Sequence, residues 1–320
     1  MLTALAAVFF LSGCKNDIEL NADWKEIVVV YGLLNANDTA QYIRIQKAFQ
    51  NKNGTAVSFA QNPDSLYYDT LKVKLINLNT SAESFLTKDN SLPKDTGYFQ
   101  SGENILYKYK GPLNPMNRYK LVIENPKTGF VVTGETQIVD KATITNPIND
   151  SMDIGPNRSL LVRFNTGRNA FTYDAVIRLN YEEYDINTNA LKNKKFVDYY
   201  VMRSYQTPDL LGGKRLEQST LINDLYTFWG NSIPVDAGLY RKATTLDIRV
   251  SGAAEDLQTY IDVSRPSIGI VQKKPEYTNL INGYGIFSSR NFVIQAMPLN
   301  LSSKLSIIAN PATAKLNFRL

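Results

Sequence analysis

From Glu26 onward, apolar residues recur mainly at every second position, the period of a strand with one face on a core. Ile27 to Leu34 is an apolar, β-branched run suited to a central strand. Ile43 and Ile45 alternate with Tyr42, Arg44 and Gln46, and Leu71, Val73 and Leu75 with Lys72 and Lys74. Ile105, Tyr107 and Tyr109 flank Lys108, and Tyr119, Leu121 and Ile123 alternate with Arg118 and Lys120. Phe130 to Ile138 follows the turn-like Asn125-Pro126-Lys127-Thr128-Gly129. Asn51-Lys52-Asn53-Gly54 reads as a polar turn, and Ser81 to Gly102 as a long polar loop of the kind that carries binding function. The pattern predicts an antiparallel β-sandwich of immunoglobulin type over residues 26–140.

A cluster of breakers, Asn146-Pro147, Asn149-Asp150 and Gly155-Pro156, marks residues 141–158 as a linker. Alternation resumes with Leu160, Val162 and Phe164, then Tyr173 to Tyr181, Phe196 to Tyr205, Leu246 to Val250 and Phe292 to Ala296. Two segments have helical spacing instead: Leu221, Leu225, Phe228 and Trp229, and Ala254, Leu257 and Ile261 before Arg265-Pro266. Lys315-Leu316-Asn317-Phe318 reads as a terminal strand. Residues 159–320 are therefore expected to form a larger, second β-rich domain with short helical insertions. The fold class is mainly β throughout, and 320 residues suffice for two such cores.

The composition removes many chemistries. There is no histidine, hence no Ser-His-Asp triad and no imidazole proton shuttle. One cysteine allows neither an intrachain disulfide nor a thiolate zinc cluster, so metals and cofactors are not expected. A net charge of +5 is too small an excess to indicate nucleic acid. Asp185-Ile186-Asn187-Thr188-Asn189 has the spacing of a calcium loop, but Ala190 and Phe196 stand where that loop needs glycine and glutamate, so it reads as a hairpin tip. Leu211-Gly212-Gly213-Lys214 lacks the remaining residues of a phosphate loop. Glu182 and Glu183 are adjacent on a strand and point to opposite faces, so they cannot act together on one substrate. Nineteen tyrosines, with doublets at Tyr67-Tyr68 and Tyr199-Tyr200, are explained by strand preference, though aromatics on loops also make sugar or peptide platforms.

Leu2 to Leu11 is apolar except for Thr3. Ten helical residues rise about 15 Å, half a bilayer core, so the run suits a secretory signal and not a membrane span. It contains no Lys or Arg, a departure from the usual signal. Leu11-Ser12-Gly13-Cys14 follows, and resembles a bacterial lipobox in which the cysteine receives the lipid. The resemblance implies a signal peptide over 1–13, covalent lipid on Cys14 and a tether over 14–25, with anchoring in the outer membrane. Asp17 and Glu19 are similar to the acidic tag of surface-exported lipoproteins, which favours the cell surface over the periplasmic face.

Asn282-Gly283-Tyr284-Gly285-Ile286-Phe287 is the most distinctive stretch, a tight turn in which backbone passes close to backbone, and a candidate binding or structural turn. Together with the lipobox, the strand at Ile27 to Leu34 and Tyr119-Lys120-Leu121, it resembles the Bacteroidetes lipoproteins grouped as domain-of-unknown-function family 4249. That resemblance implies a protein accessory to a TonB-dependent β-barrel receptor, and it carries no catalytic residues over. The expected function is non-catalytic capture or hand-over of a glycan or peptide ligand. A structural or adhesive envelope protein is the alternative, and a carboxylate-based glycan-active enzyme a weaker one.

Overall fold

A computed structural model of the chain describes residues 26–48, 63–93, 103–265 and 276–320. Cys14 with Leu11, Ser12 and Gly13, the tether and the Asn51–Gly54 turn lie outside them. The described chain is mainly β, as the alternation requires. Among the described residues before the shared strands, the first sandwich contains β1 (Val28–Leu34), β2 (Ala40–Lys47), β3 (Lys72–Asn77), β4 (Ala82–Phe85), β5 (Thr87–Asp89), β6 (Leu106–Lys110), β7 (Arg118–Asn125) and β8 (Phe130–Gln137), with a single-turn helix α1 (Pro63–Leu66). One sheet runs β1-β2-β6-β5 and the other β8-β7-β3-β4. Lettered in chain order A, B, C, C′, D, E, F and G, these are the A-B-E-D and G-F-C-C′ sheets of an immunoglobulin-type sandwich. The corner before strand F is fixed as in that fold: the Tyr119 hydroxyl accepts the Asn114 N–H at 3.0 Å. Val30, Ile43, Leu75, Leu121 and Val132 meet between the sheets, fully shielded from water.

Among the described residues, the second sandwich repeats the order without a D strand. It contains β9 (Thr143–Asn146), β10 (Ser159–Asn165), β11 (Thr172–Asp185), β12 (Leu191–Gln206), β13 (Arg215–Leu221), β14 (Leu239–Ala253), and the long β16 (Tyr284–Pro298), which follows the two-residue β15 (Leu280–Ile281). Sheet β9-β10-β13 faces sheet β12-β11-β14-β16, which is A-B-E against C′-C-F-G. Helix α2 (Ile222–Ser232) sends Leu225 and Trp229 into this core, as their spacing predicts, together with Tyr226; Phe228 is partly buried, and Leu221 precedes the helix at the end of β13 and is exposed. Helix α3 (Glu255–Ser264) joins β14 to the returning chain, and α4 (Leu301–Ala309), capped by the Asn300 side chain, closes one end.

Several segments depart from the alternation-based reading. Within 141–158, Thr143–Asn146 pairs with β10, and Met152 and Ile154 are buried in the second core, so this stretch is built into the sandwich. Within 81–102, Ala82–Phe85 and Thr87–Asp89 are edge strands, whose largely solvated faces leave no alternation to read, and residues 94–102 lie outside the described ones. The expected terminal strand is a 3₁₀ turn at Ala314–Leu316, with Phe318 making only an isolated bridge to Arg241.

The two sandwiches share β16. Its first part, Tyr284 to Ser289, pairs parallel with β1, and from Arg290 to Pro298 it pairs antiparallel with β14. Leu280 of β15 and Phe287 of β16 lie in the first core, and Met297 lies in the second. Buried polar groups sit at the crossover. Ser289 Oγ donates to the Gln137 carbonyl at 2.6 Å and accepts the Val139 N–H at 3.0 Å. Asn291 Nδ2 donates to the Val139 carbonyl at 3.3 Å. These bonds tie the end of the first sandwich to the strand that opens into the second.

Candidate functional site

The turn at Asn282-Gly283-Tyr284-Gly285 lies where β15 leads into β16. Asn282 and Gly285 have φ of 59° and 99°. A Cβ on Gly285 would stand 2.1 Å from the Val30 carbonyl oxygen, and one on Gly283 would stand 2.7 Å from Val132 Cγ1. The glycines are therefore required by the approach of this turn to β1 on one side and β8 on the other. Asn279 secures the hairpin, its amide donating to the Phe287 carbonyl at 2.7 Å while its oxygen accepts the Phe287 N–H at 3.0 Å. Tyr284, held on this frame, is 50% exposed.

Its ring stands between two clefts. The larger, about 540 Å³, runs between α3 and the outer face of β1. Val29 and Tyr31 line it from β1, Tyr260 and Val263 from α3, and Glu276 and Tyr277 from the returning chain. The smaller, about 340 Å³, is lined by Glu26, Phe130 and Thr278 with the turn itself. Both volumes suit a small ligand. The Tyr31 and Tyr260 rings meet edge to face, 6.4 Å apart at 74°. Burial, then the hydrogen bond with Tyr260, pushes the Tyr31 phenol up to about 12. Burial and the Asp256 carboxylate, which accepts the Tyr277 hydroxyl, push Tyr277 up as well. The Tyr277 hydroxyl proton is already given to Asp256 and the Tyr31 hydroxyl is bonded to Tyr260, so toward a ligand these phenols offer acceptor oxygens and apolar ring faces. Such walls bind sugar rings or peptide side chains by stacking and hydrogen bonding.

Other residues singled out in the sequence have structural partners. Glu182 faces outward to Tyr184 and Lys194, while Glu183 faces inward to Arg241, so the pair diverges. The Asp185 carboxylate accepts the N–H groups of Asn187 and Thr188, both at 3.0 Å, and closes the β11–β12 hairpin. No group of three or more metal-binding side chains occurs among the described residues. Gly212 and Gly213, at φ 78° and 79°, form a turn whose Gly213 N–H bonds to the Thr166 carbonyl. Of the cleft residues, Tyr31 had one sequence signal: it is the only residue with a polar tip in an otherwise apolar or glycine run from Ile27 to Leu34. Tyr260 and Tyr277 are brought to it only by the fold of α3 over the shared strand.

No family model matches the chain, and no curated protein is significantly similar to it.

Proposed function

We propose that this protein is a non-catalytic outer-membrane lipoprotein, anchored through Cys14, that captures a ligand and hands it to a TonB-dependent β-barrel receptor. Membership of the 4249 family and exposure at the cell surface belong to the same proposal. The larger, tyrosine-lined cleft beside Tyr284 carries the binding part of this reading, since its walls offer stacking faces and hydroxyl oxygens. The lipobox Leu11-Ser12-Gly13-Cys14 carries the anchor. The lack of histidine and the single cysteine, committed to lipid, favour binding over catalysis. The ligand class is a glycan or a peptide.

Co-purification from native membranes in mild detergent tests the role. A stoichiometric β-barrel receptor in the eluate is expected, with loss of uptake in a deletion strain. Repeated isolation of the protein alone, with normal uptake in the deletion strain, would support an adhesive or structural envelope role instead. Replacing Cys14 by Ser is expected to move the protein from the membrane to the soluble fraction, and retention in the membrane would refute the anchor. An activity screen on glycans, peptides and esters is expected to be blank. Turnover abolished by a single Asp, Glu or Ser substitution would overturn the non-catalytic reading.

A further inference from the structure

Helix α3 has a second groove on its other side. There Leu257 and Ile261 face the outer surface of the second sandwich, over a pocket of about 340 Å³. Three arginines line it, one from each surrounding element: Arg203 of β12, Arg290 of β16 and Arg265 at the end of α3. Arg203 is placed by a β-bulge, where the β11–β12 register shifts between Tyr173 and Ala175. Ser204 in that bulge has φ 47°, an uncommon conformation for a residue with a side chain. Its N–H donates to Asp174 Oδ1 at 2.6 Å, which holds the bulge in place. The Arg203 guanidinium lies over the Tyr200 ring, 3.9 Å from its centroid. Arg290 is the first residue of β16 paired to the second sandwich, opposite Ala253.

Arg265 lies 3.4 Å from Asp262. Among the described residues neither Arg203 nor Arg290 makes an ion pair. Arg178, on the same sheet face, contrasts with them: it is held by both Asp198 oxygens, at 2.6 and 2.7 Å. The pocket floor is polar. Thr172 is buried with its hydroxyl unpartnered, and Gln258 is buried with its amide donating to both Asp262 oxygens at 2.9 Å. Among the described residues Asp174 is the one carboxylate in the lining, and with Asp262 behind Arg265 and Gln258 two carboxylates stand against three guanidinium groups.

We propose that this pocket binds an oxyanion, the phosphate, sulfate or carboxylate group of a small ligand. Guanidinium groups present N–H forks that match such oxygens, and the Tyr200 ring holds one fork in position before the ligand arrives. Leu257 and Ile261 give the ligand's uncharged body an apolar wall. The inference depends neither on the lipid anchor nor on the tyrosine clefts.

The test is calorimetric titration of the full chain, kept soluble by Cys14→Ser, with inorganic phosphate, sulfate and glucuronate. Binding of at least one anion is expected, and the double variant Arg203→Gln/Arg290→Gln should weaken it by about tenfold or more. Arg319→Gln removes an equally positive residue away from the pocket and should leave the affinity unchanged. Tyr200→Leu keeps the net charge and should weaken binding by roughly threefold through loss of the stacked guanidinium, an effect that diffuse surface attraction would not produce. Sedimentation with phosphatidylglycerol vesicles separates a lipid headgroup from a free ligand. Vesicle binding lost in the double variant, without binding of free anions, assigns the oxyanion to lipid and still supports the site. No binding to any of these probes, or equal affinity in the double variant, overturns it.

Discussion

Glu183 and Arg241 are each 1% exposed and 3.0 Å apart inside the second sandwich. Arg241 also donates to the Leu316 and Pro234 carbonyls, so one side chain ties β14 to the C-terminal turn. Burial by itself would push the Glu183 carboxyl up. The hydrogen bonds from Lys195 and Asn193, with the Arg241 charge, outweigh it and hold the carboxyl below its usual range. Glu183→Gln leaves Arg241 buried without its counter-charge, and a loss of about 3–5 kcal/mol is expected in urea unfolding. At the surface, Asp89 accepts hydrogen bonds from Lys108 and Ser91, which lower its pKa to about 2 from 3.8. A carboxyl with a depressed folded pKa stabilises fully above its unfolded value and loses that contribution as pH falls through the folded one. Asp89→Asn should therefore flatten the part of the stability–pH curve between about pH 4 and about pH 2, as followed by thermal melts. If the variant and the parent curves stay parallel through that window, the Asp89 contacts contribute nothing.

Turn geometry decides more at the scale of the element than apolar pattern does. Gly285→Ala forces a side chain to positive φ and drives its Cβ into the Val30 carbonyl, so β16 must shift off β1. A loss of roughly 1–3 kcal/mol or more is expected, with amide exchange of β1 accelerating before that of β14. The mainly β fold of both halves was legible because β3 and β7 in the first and β10 in the second each have one wetter face and one dry face. The edge strands β4 and β5 were not, since water reaches most of their surface. Helix α4 misleads for another reason: it buries Ser303 and Ile307 but leaves Leu301 and Leu305 exposed, so its apolar residues do not mark its inner side. The turn at Asn282–Gly285 was visible from its glycines. The cleft beside it was not, because Tyr31, Tyr260 and Tyr277 lie on three elements that only tertiary packing unites. Nor does the alternation along β16 show that its inward residues serve two cores, Phe287 the first and Met297 the second.

For the whole molecule, the shared strand means that the first sandwich is completed by residues near the other end of the chain. A fragment of residues 26–140 lacks β15 and β16, leaving β1 and β8 as bare edges and Phe287's place in the core empty. It is expected to give a poorly dispersed amide NMR spectrum, whereas residues 26–320 give a dispersed one. Phe287→Ala and Trp229→Ala each remove a fully buried ring, one from each core, at a cost of about 3–5 kcal/mol. Both should lower a single calorimetric transition. Two peaks, each moved by only one variant, would show that the sandwiches unfold independently. The same strand also determines how the molecule carries mechanical load. β1 and the first part of β16 run in the same direction through six paired positions, from Val29–Tyr284 to Leu34–Ser289. A pull on the N-terminal end of β1, resisted by a partner gripping the second sandwich, draws the two strands along their own length in opposite senses. The hydrogen bonds between them are then loaded together in shear, and cannot be peeled one at a time. A tether attached at that end would make this parallel pair the clamp through which tension passes from β1 into the second sandwich.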